Sequence, residues 1–582
     1  MPAENLFFKP STALPTSNHS QDKLIIALDF GTTYSGIAYC FTNQRDCTPI
    51  SVKNWPGADS PDAPKIPTLI RYKKDNPDEF EWGAKLSNQS DGIVGVKLLL
   101  DPKQERPLYF RSKNIKKDLK DLPKSPVQIT ADFLGAIYNH ALSEISKKFS
   151  KNYVDLCHKE YVLSVPAVWT DAAKDSTLKA ARIAGLSPVQ LIKEPEAAAL
   201  WTAKKMDRRL HPNDSFVVCD AGGGTVDLIS YQVEAALPRL QVKELVHGTG
   251  GMAGSLGLNR GFSDAVEELV GEDQWLELKK SKAFFLANKQ FDREIKKSFQ
   301  GEHDEEYFVN FPTAKLEDDP DSDLEASTWR ITGEKLNEIF EPLITDILRL
   351  INDQVQRVRL KQESEELKGI FLVGGFGGNQ YLIRRVRNEH PDIEILQPPD
   401  AWAAIAKGAA LSRMPREAIV TTTSATRHYG VSAMSVHDPI RDAGQLKIPF
   451  RRDGTVRSET MTWYINLGDD LLRDQRIKFS FIRSIDEDYD DTDLVFTEKL
   501  YECGTKTAPI HPFKGGKFNV NCILISDLSK VPRSHFKRQI GKDGTPYWDV
   551  KFDLVITLEC AVMKFGLEID GESFGWVDAK YT

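Results

Sequence analysis

The chain has 582 residues, 41% hydrophobic and 27% charged, with a formal net charge of -8. That balance builds buried cores, and without a sustained basic block it argues against nucleic acid or an anionic membrane as the main partner. Seven cysteines lie scattered with no CxxC pair, which excludes a disulfide framework or zinc site as the organising principle and points to reduced thiols in a cytoplasmic protein.

Residues 1–22 read as a disordered tail, lacking the charged start and apolar middle of a secretory signal, and no apolar run reaches membrane-spanning length. From 23 to about 413, short apolar strands such as LIIALDF, YVLSVPA, SFVVCDA and GIFLVGG alternate with helical patterns such as DAAKDSTLKAARIAG and the long EKLNEIFEPLITDILRLINDQVQRVRL, the signature of an α/β fold. Residues 414–428 form a linker. From 429 to 582 the pattern changes to apolar–polar alternation broken by Asp453-Gly454, Gly515-Gly516 and Asp543-Gly544, which predicts an antiparallel β-sandwich-like domain. Acidic stretches at 316–325 and 484–493 read as solvated loops.

Chemistry enters at LIIALDFGTTYSGIAY, where an apolar strand ends in Asp29 and a tip of Gly31, Thr32 and Thr33 leads into a second strand. The pattern returns at SFVVCDAGGGTVDLISYQV, with Asp220, then Gly222, Gly223, Gly224 and Thr225. Glycines at a hairpin tip let backbone N–H groups approach phosphate oxygens, and an acid fixed at a strand end can hold the water shell of magnesium. One such tip is usually only a tight turn, but two in register with their own strands predict a polyphosphate clamp between two related lobes. A third element, GIFLVGGFGGNQYLIRRVRN, runs from a strand through Gly374 and Gly375 to a helix starting near Asn379, a layout that exposes amides at a helix start.

These three segments resemble the two phosphate motifs and the adenosine motif of the actin-like ATPase clan, and most closely those of the seventy-kilodalton heat-shock (DnaK-like) family. YVLSVPAVWTDAAKDSTLKAARIAGL, PVQLIKEPEAAALW, GIVGVKLLL and HGTGGMAGSLG are similar to further segments of that family. The resemblance implies two ribonuclease H-like lobes in the first 413 residues, ATP or ADP with Mg2+ as cofactors, slow ATP hydrolysis, and extended peptides or unfolded segments as partners of the β-rich domain. By the same resemblance Asp29, Asp220 and Glu194 organise the metal and its waters. Lys97 steadies the γ-phosphate and the attacking water, and Thr225 belongs with these catalytic groups. Gly31, Thr32, Thr33, Gly222, Gly223, Gly224, Gly250, Gly251, Lys296, Gly374 and Gly375 contact the nucleotide, and Asp227 orders the second tip.

Departures are equally visible. Phe376 and Gly378 stand where the family carries a small hydroxyl and a base-stacking arginine, and Met252-Ala253-Gly254 replaces an acidic continuation. The linker is neither leucine-rich nor acidic, and the chain ends in DAKYT without a lid pattern or acidic terminal motif. This combination resembles the family's divergent twelve-type branch. It leaves two functional readings: an ATP-hydrolysing chaperone-like protein, or a nucleotide-sensing interaction module with little turnover. Hydrolysis of this type needs no protein nucleophile, because positioning and charge neutralisation supply most of the rate.

Overall fold

The structure, a computed structural model, describes residues 22–43, 48–86, 92–101, 122–205, 210–236, 239–362, 367–398, 400–414, 419–512, 518–559 and 561–581. Residues 1–21 of the expected tail, 415–418 of the expected linker, the Gly515-Gly516 turn, Cys47 and Cys560 lie outside the described residues.

Two sheets carry the first part of the chain. In the first lobe, β1 (Lys23–Asp29), β2 (Tyr34–Phe41), β3 (Ile50–Ser51), β4 (Lys65–Pro67), β5 (His158–Val165) and β6 (Val189–Lys193) assemble in the order β3-β2-β1-β5-β6, with β4 also on β2. In the second lobe, β7 (Ser215–Ala221), β8 (Val226–Ala235), β9 (Gln241–Gly251), β10 (Leu367–Val373) and β11 (Glu394–Leu396) take the order β11-β10-β7-β8-β9. The two sheets repeat one local plan. Each acid-ending strand, β1 or β7, pairs antiparallel with the strand after its tip and parallel with a strand from much later in the chain. These strands are buried on both faces, which is why they read as continuous apolar runs.

Helices flank both sheets. In the first lobe, α1 (Pro126–Lys148) starts from Ser125, whose side chain accepts from the Gln128 amide, and packs Phe133 against Phe30. Next, α2 (Asp171–Ile183) is capped by Thr170, which accepts from the Ala173 amide, and is followed by Gly185 at a φ of 84°. Then α3 (Glu194–Lys205) follows β6 directly. The second lobe holds α4 (Leu256–Leu278), the long α5 (Gly333–Lys361) and α6 (Gln380–Glu389), around a core that includes Phe262, Phe291, Phe299 and Phe340.

A third cluster joins the lobes. It brings together the alanines of α3, the alanines of α7 (Ala404–Leu411), and Trp201, Phe216 and Tyr231. Small residues let the two helices touch backbone to backbone, and a Cβ built on Gly408 would lie 1.7 Å from the Ala197 carbonyl oxygen.

The last part of the chain is β throughout its described residues, apart from short 3-10 turns. One sheet takes the order Ile448–Phe450, Thr455–Ile465, His428–Val436, Val495–Cys503, Phe518–Asp527 and Asp578–Tyr581. A second takes Arg476–Asp486, Pro546–Glu559, Val562–Ile569 and Glu572–Trp576, with Phe536–Ile540 on the edge of Pro546–Glu559. Residues of both, among them Val431, Leu500, Phe552 and Phe565, share one core.

The expected linker contains β12 (Ile419–Ser424), which pairs parallel with β9 and so extends the second lobe's sheet. β13 (Asp470–Leu472), from the β-rich part, pairs antiparallel with β12. A side-chain contact adds to this join: Asp171, at the start of α2, accepts from the Tyr429 hydroxyl (3.2 Å) and the Asn521 amide (2.9 Å). No helix among the described residues is long and apolar enough to cross a membrane.

Gly408→Ala forces its methyl into the α3 backbone and is expected to destabilise the chain by about 1–3 kcal/mol, read as a lower midpoint in urea unfolding. Gly504→Ala has open space around it and is expected to leave the midpoint unchanged within about 0.5 kcal/mol.

Candidate functional site

Asp29, the last residue of β1, and Asp220, next to last in β7, lie close enough to act on one another electrostatically. Asp29 is 1% exposed; its Oδ2 lies 2.5 Å from Lys65 Nζ, and its Oδ1 accepts from the Ser164 hydroxyl at 3.2 Å. Lys97 sits in a short helical turn, Val96–Leu100, with its ammonium 5.6 Å from the centre of the Trp169 ring and in direct ion-pair contact with Glu194 at the start of α3. Asp220 is buried, and its Oδ1 has no hydrogen-bond partner among the described residues. Asp227, on β8, reaches the first lobe: its Oδ1 accepts from the amides of Ala167 (2.8 Å) and Val168 (3.4 Å).

Four carboxylates therefore share this region with two ammonium groups. Burial raises the pKa of Glu194, with Lys97 pulling against it and Asp227 and Asp29 adding to the rise. Asp220 is raised far above the ordinary carboxylate range by burial, then by Glu194, Asp227 and Asp29, while Lys65 pulls the other way. Asp227 is raised by burial as well. The region is short of positive charge, and Asp220 Oδ1 and Asp227 Oδ2 are left without a hydrogen-bond partner among the described residues.

The loop tips are anchored from behind. Thr68 fastens the first: its hydroxyl donates to the Gly31 carbonyl (2.8 Å) and its amide to the Thr33 carbonyl (2.8 Å). The second closes on itself through the Gly222 amide and the Thr225 carbonyl (2.9 Å), and its Gly222 and Gly223 carbonyls accept from the Ser255 and Leu256 amides at the start of α4. Gly254 makes that approach possible, since a Cβ there would fall 2.3 Å from the Gly223 carbonyl oxygen. The two tips meet: a Cβ on Gly223 would lie 2.3 Å from the Thr33 hydroxyl oxygen, and one on Gly224 2.5 Å from that of Thr32. A polyphosphate passing between them requires the tips to part.

The adenosine-motif segment closes on the second tip. The Phe376 amide donates to the Ala221 carbonyl (2.9 Å), and Gly374, at a φ of 82°, sits so near Asp220 that a Cβ would come 2.3 Å from its Oδ1. Asn379 caps α6 by accepting from the Leu382 amide (2.8 Å), and its side-chain amide donates to the Lys296 carbonyl (2.7 Å). The Lys296 ammonium is held away from free space by Asp292 (2.8 Å) and Asn259 (2.7 Å), and burial lowers its pKa. Gly250 packs on β8, where a Cβ would meet the Val226 carbonyl at 2.4 Å, whereas Gly251 has room.

Two departures gain a reason. Phe376 is a core residue of the second lobe and does not stand as a ligand group, and any side chain at Gly378 would meet the Gln397 amide 2.6 Å from its Cβ. Trp402 stands instead beside the glycines, its indole nitrogen 3.8 Å from a Cβ built on Gly375 and its ring 5.5 Å from that of Tyr34. Lys65, Thr68 and Trp402 belong to none of the quoted segments, and Ser164 lies within YVLSVPA, where nothing singles it out. Their one local signal is chemical type, a lysine, two hydroxyls and a tryptophan between apolar runs, and packing alone brings them here.

The carboxylate cluster fits the hydrated cation that the motifs implied. Among the described residues no three His, Cys, Asp or Glu side chains are disposed to ligate one ion directly. Magnesium that bridges phosphates keeps most of its water, and the excess carboxylate charge with the bare Asp220 oxygen suits such an ion.

Comparison with known proteins agrees. Residues 87–413 match the family model described as Hsp70 protein. The chain is 25% identical over 505 residues to heat shock 70 kDa protein 12A of Mus musculus, covering 72% of this chain and 74% of that protein. It is 24% identical to the human 12B protein (74% of each) and 26% identical to chaperone protein DnaK of Mycoplasma mobile (67% of this chain, 58% of that protein). The chain belongs to the Hsp70 family, and within it to the divergent twelve-type branch, with the two-lobed actin-like fold of that family.

Proposed function

We propose that the chain binds ATP and ADP with magnesium between the two loop tips, hydrolyses ATP slowly, and passes the nucleotide state to its β-rich part, which we read as a β-sandwich-like domain that takes extended peptide. The observation that carries this is the meeting of Asp29, Glu194, Asp220 and Asp227 with Lys65 and Lys97 at two strand ends distant in sequence. Bound magnesium would neutralise phosphate oxygen charge, with Asp29, Asp220 and Glu194 holding its water shell. Lys97 lies against Glu194 and can turn its ammonium to the γ-phosphate. Glu194 can then accept from the attacking water, which it orients. The Thr32, Thr33 and Thr225 hydroxyls and the glycine amides donate to phosphate oxygens.

Coupling is supported by continuity of structure. β12 lies on the second lobe's sheet and carries β13, while Asp171 of the first lobe holds Tyr429 and Asn521. Any change in lobe angle therefore strains both attachments. The described cysteines Cys40, Cys157, Cys219, Cys503 and Cys522 are buried and form no disulfide, which supports a reducing, cytoplasmic setting.

A second reading, nucleotide sensing with little turnover, is favoured by the contact between the tips and by the engagement of both lysines with carboxylates. Calorimetric titration separates the two: tight ATP binding without measurable hydrolysis supports sensing, whereas ATP-stimulated peptide release supports the chaperone-like reading.

In single-turnover hydrolysis with magnesium, Asp29→Asn and Lys97→Ala are each expected to slow the step by about a hundredfold or more. An unchanged rate in both removes the assigned site. ATP is also expected to alter protease sensitivity between residues 412 and 429 relative to ADP, measured by limited digestion and mass spectrometry.

A further inference from the structure

Lys65 lies in none of the three motifs, yet it is the cation on the first acid. Strand register puts it there. Asp29 on β1 stands opposite Gly36 on β2, and Gly36 stands opposite Lys65 on β4. With no side chain at position 36, the lysine stem crosses over the glycine. A Cβ there would come 2.8 Å from both Lys65 Cγ and the Pro64 carbonyl oxygen. The ammonium arrives buried, 2.5 Å from Asp29 Oδ2, and close enough to Asp220 to pull against that acid's upward shift.

Lys97 answers Glu194, two backbone amides answer Asp227, and Lys65 answers Asp29. Asp220 and Asp227, both in the second lobe, each keep a buried oxygen without a hydrogen-bond partner, and no lysine of the chain forms an ion pair with either among the described residues. The half of the site built on β1 thus carries a cation that belongs to the chain, while the half built on β7 does not.

Resting on the nucleotide-binding reading above, we propose that Lys65 is a binding residue of the phosphate site: a fixed counter-cation that neutralises Asp29 and meets a polyphosphate oxygen once the tips part. Divalent cation is then required mainly on the Asp220 side, and a nucleoside diphosphate keeps much of its affinity when metal is removed. An ammonium delivered by strand register is already desolvated and oriented, and no chelator can withdraw it. Neutralising Asp29 for stability alone would make Lys65 matter to folding and to overall affinity. It would not change the ratio of affinities with and without magnesium.

That ratio is the measurement. ADP is titrated calorimetrically into the full-length protein, once in excess magnesium and once in excess EDTA. For the wild type, chelation is expected to cost less than about tenfold in affinity. For Lys65→Met the same step is expected to cost roughly ten- to a hundredfold more, the worth of one charge-assisted contact. Lys65→Arg is expected to return the ratio to the wild-type value. Gly36→Ala keeps the charge but displaces the stem, and is expected to raise metal dependence even if Lys65→Met does not fold. Equal ratios in wild type, Lys65→Met and Gly36→Ala overturn the proposal. If ADP binds no variant and not the wild type in either condition, the nucleotide-binding reading falls, and this one with it.

Discussion

Buried negative charge at the junction of the two lobes is the constraint on which the rest depends. Carboxylates removed from water cost several kcal/mol each unless a cation or a set of N–H donors meets them. Asp29, Glu194, Asp220 and Asp227 are therefore tolerable only where Lys65, Lys97 and the Ala167 and Val168 amides reach them. Those partners come from strand ends, a short helical turn and a loop, so the charges can be satisfied only if both lobes hold their relation. Satisfaction stops at Asp220 Oδ1 and Asp227 Oδ2, which are buried without a hydrogen-bond partner among the described residues.

The same relation is reinforced at a distance from the acids. Lys193 of the first lobe and Glu244 of the second form a buried pair at 3.0 Å, and Glu244 also accepts from the Gly248 amide (3.1 Å). Asp59 also meets Arg293 and Lys289. The alanine-rich contact of α3 with α7 supplies the apolar part of the joint. The β-rich part attaches to both lobes, through β12 and β13 on one and through Asp171 on the other, so it is anchored on both sides of the joint where movement would occur.

The differences from the family pattern are matters of packing. Phe376 pays into the second lobe's core, Gly254 admits the start of α4 against the second tip, and Gln397 fills the space beyond Gly378. Trp402 brings an aromatic ring to the glycines on the side left without the stacking arginine. The divergence thus keeps the acid-bearing strand ends and changes the packing around the glycines of the third segment.

The sequence by itself determined the elements and the repeated tip. Apolar runs, caps such as Thr170 and Asn379, and the paired Asp-Gly-Thr patterns are local, and local sterics and hydrogen bonding decide them. It also indicated, through alternation and turn residues, a β-rich part from 429 to 582, and only a linker over 414–428. Tertiary structure alone decided that Lys65 faces Asp29, that the tips touch, and that residues 419–424 join a sheet of the second lobe. Each depends on register or docking between segments far apart in the chain. No local pattern records such pairing, because it is selected by burial and charge compensation over the whole fold.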